Sequence, residues 1–438
     1  MLRMSHGVVL CALTLLVIGV VMVNSAGLSV PPDPALVQSG AITEAQFAKL
    51  EAAYRPISFE QVFLGRTSIL AALSLLAMFV ASRINVEWLY KLRGALSPVP
   101  WILGLSVVTL ILVHVPGIGR EVNNSSRWIG PPSYGFQPSE LAKWGMLIVA
   151  AWFCVRHADR LRSFKRGFVP AFGVLVLICG LIGKEDLGTA VLVFASCTTV
   201  LLIGGLRWTY VAALVPIGAL LAAVAIITSP YRVNRLLAWR DPWQDPEGIG
   251  YHIIQSMSAI AGGGLTGRGL GNSLQKFGYL PEDTTDFIYA IICEEQGLMG
   301  SLLVVSLYAG LLLFGLAIVT RGSRSPNADR IVPPFSRLVG IGVLTTIGLQ
   351  ALINLLVVTG LAPTKGIALP LLSSGGSGWV MIGASLGLVL SIERFAMRRE
   401  RELGIEESRA GGEADAAEGA AAGVAKPASG AGDGALPA

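Results

Sequence analysis

Long apolar runs recur along this chain and are separated by short polar segments. An α-helix needs about 20 mainly apolar residues to cross the hydrocarbon core of a bilayer. Runs that approach this length lie at residues 7–23, 67–82, 99–115, 141–155, 168–182, 187–203, 210–228, 298–319, 338–358 and 379–392. The pattern predicts an all-α polytopic membrane protein with about ten transmembrane helices, because lipid leaves no other partner for the backbone polar groups of such segments.

Charged residues make up only 14% of the chain, whereas soluble domains average about 25%. The net charge of +5 is spread over short loops between the apolar runs and is not gathered in one patch, so we exclude a nucleic-acid partner. The five cysteines have no CxxC spacing, and the four histidines are scattered. This usage indicates packing residues and gives no sign of a disulfide framework or a metal-ligand cluster.

The orientation follows from the distribution of lysine and arginine, because cytoplasmic loops are enriched in both. Basic residues cluster after the second, fourth, sixth, eighth and tenth spans, whereas the alternate short loops hold few. The clustered residues are Arg83, Lys91, Arg93, Arg156, Arg160, Arg162, Lys165, Arg166, Arg207, Arg321, Arg324, Arg330, Arg337, Arg394, Arg398, Arg399 and Arg401. We therefore expect both termini to be cytoplasmic.

This topology divides the chain into six parts. They are a first transmembrane helix (1–23), an outer loop (24–66), transmembrane helices 2–7 (67–228), a large outer loop (229–286), transmembrane helices 8–10 with the last outer loop (287–394), and a cytoplasmic tail (395–438). The first span could instead be a cleaved signal peptide, but its apolar stretch exceeds the roughly 7–15 residues of a signal core, so we favour retention. Residues 44–54 have a helix-like pattern, and the Ala/Gly-rich tail predicts disorder from about residue 408.

Asp286 stands immediately before an apolar run at the outer end of the predicted eighth span. One interpretation makes it a helix N-cap. Another makes it a carboxylate at the lip of the membrane, where the adjoining apolar residues would suit it to act as a general base. The two roles are compatible. Glu282 is the next carboxylate to consider if Asp286 only caps the helix.

Other polar residues gather at the same predicted outer surface. Glu140 and Lys143 are three residues apart and share a helix face at the mouth of the fourth span, as an interfacial ion pair or as part of a cavity. Arg232 and Arg235 would also share a face if helical, and they could hold a diphosphate or anchor lipid headgroups. Arg127 lies just upstream of Glu140.

The last outer loop carries Lys365 and Ser377 within a segment rich in glycine and proline. Irregular backbone at membrane depth is tolerated only where it is buried in protein or lines a cavity. The glycine-rich segment 267–271 looks like a dinucleotide loop, but it lacks the surrounding strand and helix, so we reject that interpretation. No Walker motif is present either, so any synthesis outside the cell needs a substrate that arrives activated.

Several of these strings, in this order, resemble the SEDS family (shape, elongation, division and sporulation), to which RodA and FtsW belong. They are RWI at 127–129, QPSELAKW at 137–144, KEDLGTA at 184–190, GNSLQK at 271–276, DFIYA at 286–290, PTKG at 363–366 and SSGGS at 373–377. The resemblance spans about residues 127–394. PTKG and GNSLQK resemble the division-type FtsW branch more than the elongation-type RodA branch.

The resemblance implies a peptidoglycan glycosyltransferase that polymerises lipid II on the outer face of the bacterial cytoplasmic membrane, concentrated at the division septum. It implies Asp286 as the essential aspartate and Glu140 with Lys143 as the paired acid and base. The implied partners are a class B penicillin-binding transpeptidase, other divisome membrane proteins and membrane lipids. Thr284, Ser374 and the pair at 184–185 depart from the residues that are frequent in the family.

The implied reaction inverts an α-linked diphosphate sugar to a β-linkage, so it needs one base and positive charge for the leaving diphosphate. Arg232, Arg235, Lys365 or a divalent cation such as Mg²⁺ or Mn²⁺ could supply that charge. A lipid II flippase, an elongation-type polymerase and a catalytically silent scaffold are the alternatives. Transporters favour midplane sites built from inverted repeats, whereas the ionisable motifs here gather on the outer side, which favours surface chemistry.

Overall fold

A computed structural model describes residues 3–26, 44, 64–92, 96–122, 125–131, 135–275, 280, 284–323, 325–374 and 376–424, with side chains up to Gly404 apart from a few between 219 and 231. In chain order the helices are α1 (Met4–Ala26), α2 (Arg66–Ala81), α3 (Glu87–Lys91), α4 (Pro98–Leu112), α5 (Pro138–Arg156), α6 (Val169–Glu185), α7 (Leu187–Ile203), α8 (Trp208–Ile227), α9 (Pro230–Arg240), α10 (Tyr251–Gly263), α11 (Ile288–Val319), α12 (Ala328–Ile331), α13 (Pro334–Val358) and α14 (Ser377–Val424). A π-helical turn, Phe164–Phe168, leads directly into α6.

Every predicted span falls on one of these helices, so the polytopic all-α prediction is confirmed. Within the described residues, five helical segments are long and apolar enough to cross a membrane: Met4–Ala26, Phe164–Glu185, Ile288–Val319, Pro334–Val358 and Ser377–Gly404. The other spans correspond to shorter helices, of which α5 is the most polar because Glu140 and Lys143 lie in its first two turns.

The eighth span begins earlier than predicted. α11 starts at Ile288, about ten residues before the expected start at 298, and is interrupted at Gly297, where φ is 65° and ψ is −159°. A left-handed φ of this kind suits glycine, and a side chain at this position would also collide with the backbone of Gly267 and Leu265. The kink therefore separates a short, buried outer part of α11 from the long apolar part.

α13 lies at the centre of the bundle and contacts α5, α7, α11 and α14. α14 packs along α2 at very short range, because Gly383 and Gly387 face the α2 backbone. A Cβ atom at Gly383 would lie 2.3 Å from the carbonyl oxygen of Ser74. α1 packs against α11 with Leu15 and Met22 fully buried, so the first predicted span is an integral part of the bundle.

The start of α1 and the end of the last span meet at one end of the bundle. Glu393 accepts hydrogen bonds from the backbone nitrogens of Met4 at 3.2 Å and Ser5 at 2.8 Å. The other end of α1 meets α11, where the hydroxyl of Ser25 donates to Glu295 at 2.8 Å. A chain that crosses a membrane an even number of times begins its first span and ends its last span on the same side. The contact between Glu393 and the start of α1 therefore agrees with the ten predicted spans.

Three features differ from the sequence-based expectation. A short antiparallel hairpin pairs β1 (Gly119–Val122) with β2 (Ser125–Ile129), and so adds strands to an otherwise helical chain. The large outer loop contains α9, a 3₁₀ turn (Pro242–Gln244) and α10. α14 continues to Val424, past the residue 408 at which we predicted disorder, because alanine and glutamate favour helix. The helix-like pattern at 44–54 lies almost entirely outside the described residues.

Candidate active site

The last outer loop, residues 359–376, enters the bundle, and buried side chains satisfy its backbone. Asn354 donates to the carbonyl oxygen of Ile367 at 2.7 Å, and Gln350 donates to that of Ala368 at 2.8 Å. The indole of Trp379 donates to the carbonyl of Ser373 at 2.5 Å, and the hydroxyl of Tyr308 donates to that of Pro370. The loop is therefore held by protein at the depth of the helices, as the glycine and proline content predicted.

Asp286 lies against this loop. The same amide nitrogen of Asn354 that binds Ile367 also donates to the carbonyl oxygen of Asp286 at 2.8 Å. A Cβ atom added to Gly366 would lie 2.8 Å from the Oδ2 atom of Asp286, so only glycine leaves the carboxylate in its observed place. The carboxylate is therefore packed closely against the loop backbone.

The residues after Asp286 form a buried apolar wall. Phe287, Tyr289 and the four residues Ile288, Ala290, Ile291 and Ile292 are all buried. α11 begins at Ile288 with Phe287 in the cap position, so Asp286 precedes the cap by one residue. The N-cap interpretation of Asp286 is therefore not supported, whereas the predicted apolar neighbourhood is present.

Basic side chains and one further carboxylate gather at the segment of the last outer loop that precedes Gly366. Arg235 donates to the carbonyl oxygen of Thr364 at 3.0 Å, which joins α9 to the last outer loop. Burial lowers the pKa of Lys365, and nearby Arg235 and Arg232 lower it further, whereas nearby Asp186 raises it. Arg127 lies 3.5 Å from Asp186. The structure thus brings Arg127 and Lys365 to Asp186, which the sequence analysis did not select, and brings Arg232 and Arg235 near Lys365.

Asp186 is fixed by the turn between α6 and α7. Its Oδ1 and Oδ2 atoms accept hydrogen bonds from the nitrogen and the hydroxyl of Thr189 at 3.0 and 2.9 Å, which caps α7. An N-cap carboxylate is held in place by the backbone it caps. The basic residues of this cluster, Arg127, Arg232, Arg235 and Lys365, outnumber its fixed carboxylate, and such a cluster suits a multivalent anion such as a diphosphate.

Glu140 and Lys143 form the predicted pair. The Lys143 ammonium lies 2.8 Å from Oε1 of Glu140 and 3.0 Å from the amide oxygen of Gln350, and its side chain is 2% exposed. In the described part of the chain, the second carboxylate oxygen of Glu140 is buried without a hydrogen-bond partner, and it lies near Gly378. Ser377, also predicted, accepts a hydrogen bond from the backbone nitrogen of Gln137 at 3.4 Å.

The pair and Asp286 belong to one hydrogen-bonded system. Lys143 binds Gln350, Gln350 binds the carbonyl of Ala368, and Asn354, one helical turn further along α13, binds the carbonyls of Ile367 and Asp286. The two predicted groups of residues are therefore joined through α13 and the last outer loop. Sequence reasoning missed Gln350 and Asn354, although amide side chains inside a long apolar helix were the available signal.

A small open crevice lies beside this site, between the hairpin and the outer ends of α4, α5 and α6. Its walls include Arg127, Asp186, Ser139 and the ion pair of His114 with Glu185, whose nearest atoms are 3.3 Å apart. The Ser139 hydroxyl is buried without a partner among the described residues. The site thus has a polar recess next to its cationic cluster.

Glu294 organises the chain that leads to Asp286. It is 1% exposed and accepts hydrogen bonds from the backbone nitrogens of Leu274 at 3.0 Å and Gln275 at 3.4 Å, and from the hydroxyl of Ser273. The guanidinium of Arg268 lies 3.6 Å from the same carboxylate. A buried glutamate in an apolar run was the signal that could have identified this residue.

Two expectations about the site, the role of Glu282 and a bound metal ion, are compared here with the described residues. Glu282 lies outside it. No group of three or more His, Cys, Asp or Glu side chains that could hold a metal ion occurs among the described residues.

Comparison with known proteins gives a consistent result across sequence and structure. The model of the cell cycle protein family FtsW/RodA/SpoVE matches residues 42–398. The "Probable peptidoglycan glycosyltransferase FtsW" of Alkalilimnicola ehrlichii is 36% identical over 91% of this chain and 92% of its own length. "Stage V sporulation protein E" of Bacillus subtilis is 35% identical over 76% of this chain and 87% of its own length.

Solved structures share the fold. A chain from a peptidoglycan synthase complex, described as coordinating polymerization and crosslinking, aligns with a TM-score of 0.64 and 27% identity over 89% of this chain and 97% of that chain. The rod shape determining protein RodA of Thermus thermophilus aligns with a TM-score of 0.55 and 25% identity over 89% of this chain and 96% of its own.

Proposed function

Because this chain belongs to the FtsW/RodA/SpoVE family of cell cycle proteins, we propose that it is a peptidoglycan glycosyltransferase that polymerises lipid II on the outer face of the cytoplasmic membrane. The observation that carries the proposal is the position of Asp286. Its carboxylate lies against Gly366, next to the cluster of Lys365, Arg232 and Arg235 and in front of a buried apolar wall.

Asp286 acts as the general base in this proposal. The hydroxyl of the acceptor sugar transfers its proton to the carboxylate as its oxygen attacks the anomeric carbon of the donor sugar. A positioned base contributes about 10²–10⁴-fold to such a step. One displacement inverts the α-linked diphosphate to a β-glycosidic bond, so a second carboxylate is not required.

The leaving group is the lipid diphosphate. The bond from the anomeric carbon to the phosphate oxygen breaks with its electron pair, and the charge develops on the diphosphate. Lys365, Arg232 and Arg235 stabilise that charge as fixed cations at a partly desolvated site, and Arg127 extends the cluster beyond Asp186. A divalent cation such as Mg²⁺ or Mn²⁺ would supply further positive charge to the diphosphate if one were bound, and the proposal routes no step through it.

Glu140 and Lys143 support the site from the side of α5. They lie beneath the last outer loop and reach it through Gln350. Their role in this proposal is to shape the cavity and to hold the loop backbone on which Lys365 and Gly366 sit.

The division role and the partner are the finer parts of the proposal. Several relatives carry the name FtsW, and one similar chain comes from a complex that coordinates polymerization and crosslinking. We expect this chain to work with a class B penicillin-binding transpeptidase and other divisome membrane proteins, and to concentrate at the septum. A fluorescent fusion that stays on the lateral wall throughout the cell cycle would assign it to the elongation branch instead.

A reconstitution experiment tests the activity. The chain is purified with its transpeptidase partner, given fluorescent lipid II without ATP, and its products are resolved by size. We expect long glycan strands whose formation does not need the transpeptidase active site. In parallel, lipid II labelled only in the inner leaflet of proteoliposomes reports translocation. Translocation without polymer would contradict the proposal and identify a flippase.

A further inference from the structure

An open, shallow apolar crevice lies between α5 and α6, far along both helices from Asp286. Buried side chains of α7, Cys197 and Leu201, form its floor, and Phe153 of α5 and Pro170 of α6 stand at its sides. Because its lining is apolar, it suits a hydrocarbon chain.

The open end of this crevice is next to a strongly basic connection. Residues 156–168 join α5 to α6 and contain five basic side chains and one acidic one. Arg156 follows Phe153 by less than one helical turn, and Arg166 precedes Pro170 by about one turn, so the cations begin where the crevice ends. The positive-inside pattern assigns this end of the bundle to the cytoplasm.

The cations of this connection face outward and are weakly paired. Arg156, Arg160, Arg162, Lys165 and Arg166 are all exposed. Among the described residues the only ion pair within the connection joins Arg160 to Asp159, and its nearest atoms are 3.8 Å apart. The loop is nevertheless well ordered by packing, since Phe164 stacks on Phe168 at 5.2 Å and the hydroxyl of Tyr210 binds the carbonyl of Arg162.

The geometry points to a binding site for an anionic diacyl phospholipid of the cytoplasmic leaflet, with one acyl chain in the crevice and the headgroup phosphate on the basic connection. Basic pockets between transmembrane helices on the cytoplasmic side are suited to acidic headgroups. Exposed cations alone would be enough for general attraction to a negatively charged membrane surface. Here the cations also adjoin an apolar groove, which favours a specific lipid site. The proposal does not depend on the reaction at Asp286, which lies at the other end of α6.

The test is a lipid titration on the purified full chain. Phosphatidylglycerol or phosphatidylcholine is added in mixed micelles, and the midpoint of thermal unfolding is followed, because a ligand that binds the folded state raises it. We expect a larger rise with phosphatidylglycerol. Lys165→Gln with Arg166→Gln should weaken its binding roughly 30-fold, since each basic residue contributes about fivefold. Arg398→Gln with Arg401→Gln, two exposed cations on α14, is the matched control and should bind as the unchanged protein does.

A second pair of variants tests the crevice itself. Ala150→Leu fills the groove from α5, whereas Ala212→Leu adds the same bulk to an exposed face of α8. Loss of the phosphatidylglycerol effect only in Ala150→Leu and in the Lys165/Arg166 variant supports the site. The proposal is overturned if the two lipids have equal effects, or if the Arg398/Arg401 control loses phosphatidylglycerol binding as strongly as the Lys165/Arg166 variant. It is also overturned if undecaprenyl phosphate displaces the bound lipid at a lower concentration than phosphatidylglycerol does.

Discussion

The side-chain nitrogen of Asn354 lies 2.8 Å from the carbonyl oxygen of Asp286 and 2.7 Å from that of Ile367. One amide on the central helix α13 therefore fixes both the candidate base and the loop against which its carboxylate packs. Removal of this amide would leave two buried acceptors without a donor, at about 1–3 kcal/mol each.

Asn354→Leu should therefore reduce polymerisation strongly, because it releases Asp286 and the last outer loop from each other. We expect a fall of about 10²-fold in the rate at saturating lipid II, since a displacement of about 1 Å in a catalytic group has that effect. Asn24→Leu is the matched control, since among the described residues the Asn24 amide donates to the carbonyl of Val20 in its own helix and to no other group. Equal rates for the two variants would contradict the proposed linkage.

Gly366→Ala is a smaller change aimed at the same contact. The added methyl group would lie 2.8 Å from Oδ2 of Asp286, so the carboxylate must move. We expect a loss of about 10²-fold in polymerisation with normal membrane insertion and an unfolding midpoint close to that of the unchanged protein. Gly180→Ala in α6 has open space around it and should be silent. Full activity in Gly366→Ala would show that the position of Asp286 is not critical.

The ion pair of Glu140 and Lys143 is open to a double-mutant cycle. Glu140→Gln or Lys143→Met alone leaves a desolvated partner charge, which costs about 3–5 kcal/mol when a buried pair is broken. The double variant removes both charges and should be more stable than either single variant. Denaturant unfolding of all four proteins, with polymerisation measured in parallel, provides the test, and simple additivity of the losses would count against the pairing.

The lowered pKa of Lys365 predicts that its replacement changes stability and activity with different pH dependences. Because burial lowers its pKa in the folded state below 10.5, the folded protein loses this proton before the unfolded chain does. The charged lysine therefore decreases the free energy of unfolding at neutral pH. This destabilisation disappears as the pH rises through the lowered pKa towards 10.5. Lys365→Met should remove this rise in stability while it reduces polymerisation at every pH, as followed by unfolding midpoints and product formation from pH 7 to about pH 10. A pH-independent difference in stability between the two proteins would argue against a buried ammonium.

The parts of the site that lie within one helix could be predicted from the sequence. Glu140 and Lys143 share a face by helical spacing alone, and Arg232 and Arg235 do so in α9. Asp186 could not be assigned in this way, because its partners Arg127 and Lys365 come from a hairpin and a distant loop. The partners of Asn354 could not be predicted for the same reason, since only tertiary packing carries the last outer loop to α13.

The ends of a helix could be predicted from the sequence where they coincide with the ends of an apolar run. The start of α11 was not, because Glu294 and Glu295 interrupt the apolar run and look like the edge of a span. In the structure both carboxylates are buried and satisfied, Glu294 by the loop before Asp286 and Glu295 by Ser25 of α1. The hairpin was also missed, because strands of four and five residues give no clear periodicity.

The central claim is that Asp286 accepts the proton of the acceptor hydroxyl, and Asp286→Asn tests it most directly. Asparagine keeps the size of the side chain and removes the proton-accepting carboxylate. The variant should insert, fold and bind its transpeptidase partner as the unchanged protein does, and its polymerisation of fluorescent lipid II by the purified complex should fall by about 10²–10⁴-fold. Polymerisation by Asp286→Asn at a rate near that of the unchanged complex would contradict the account and direct the search for the base to Glu282.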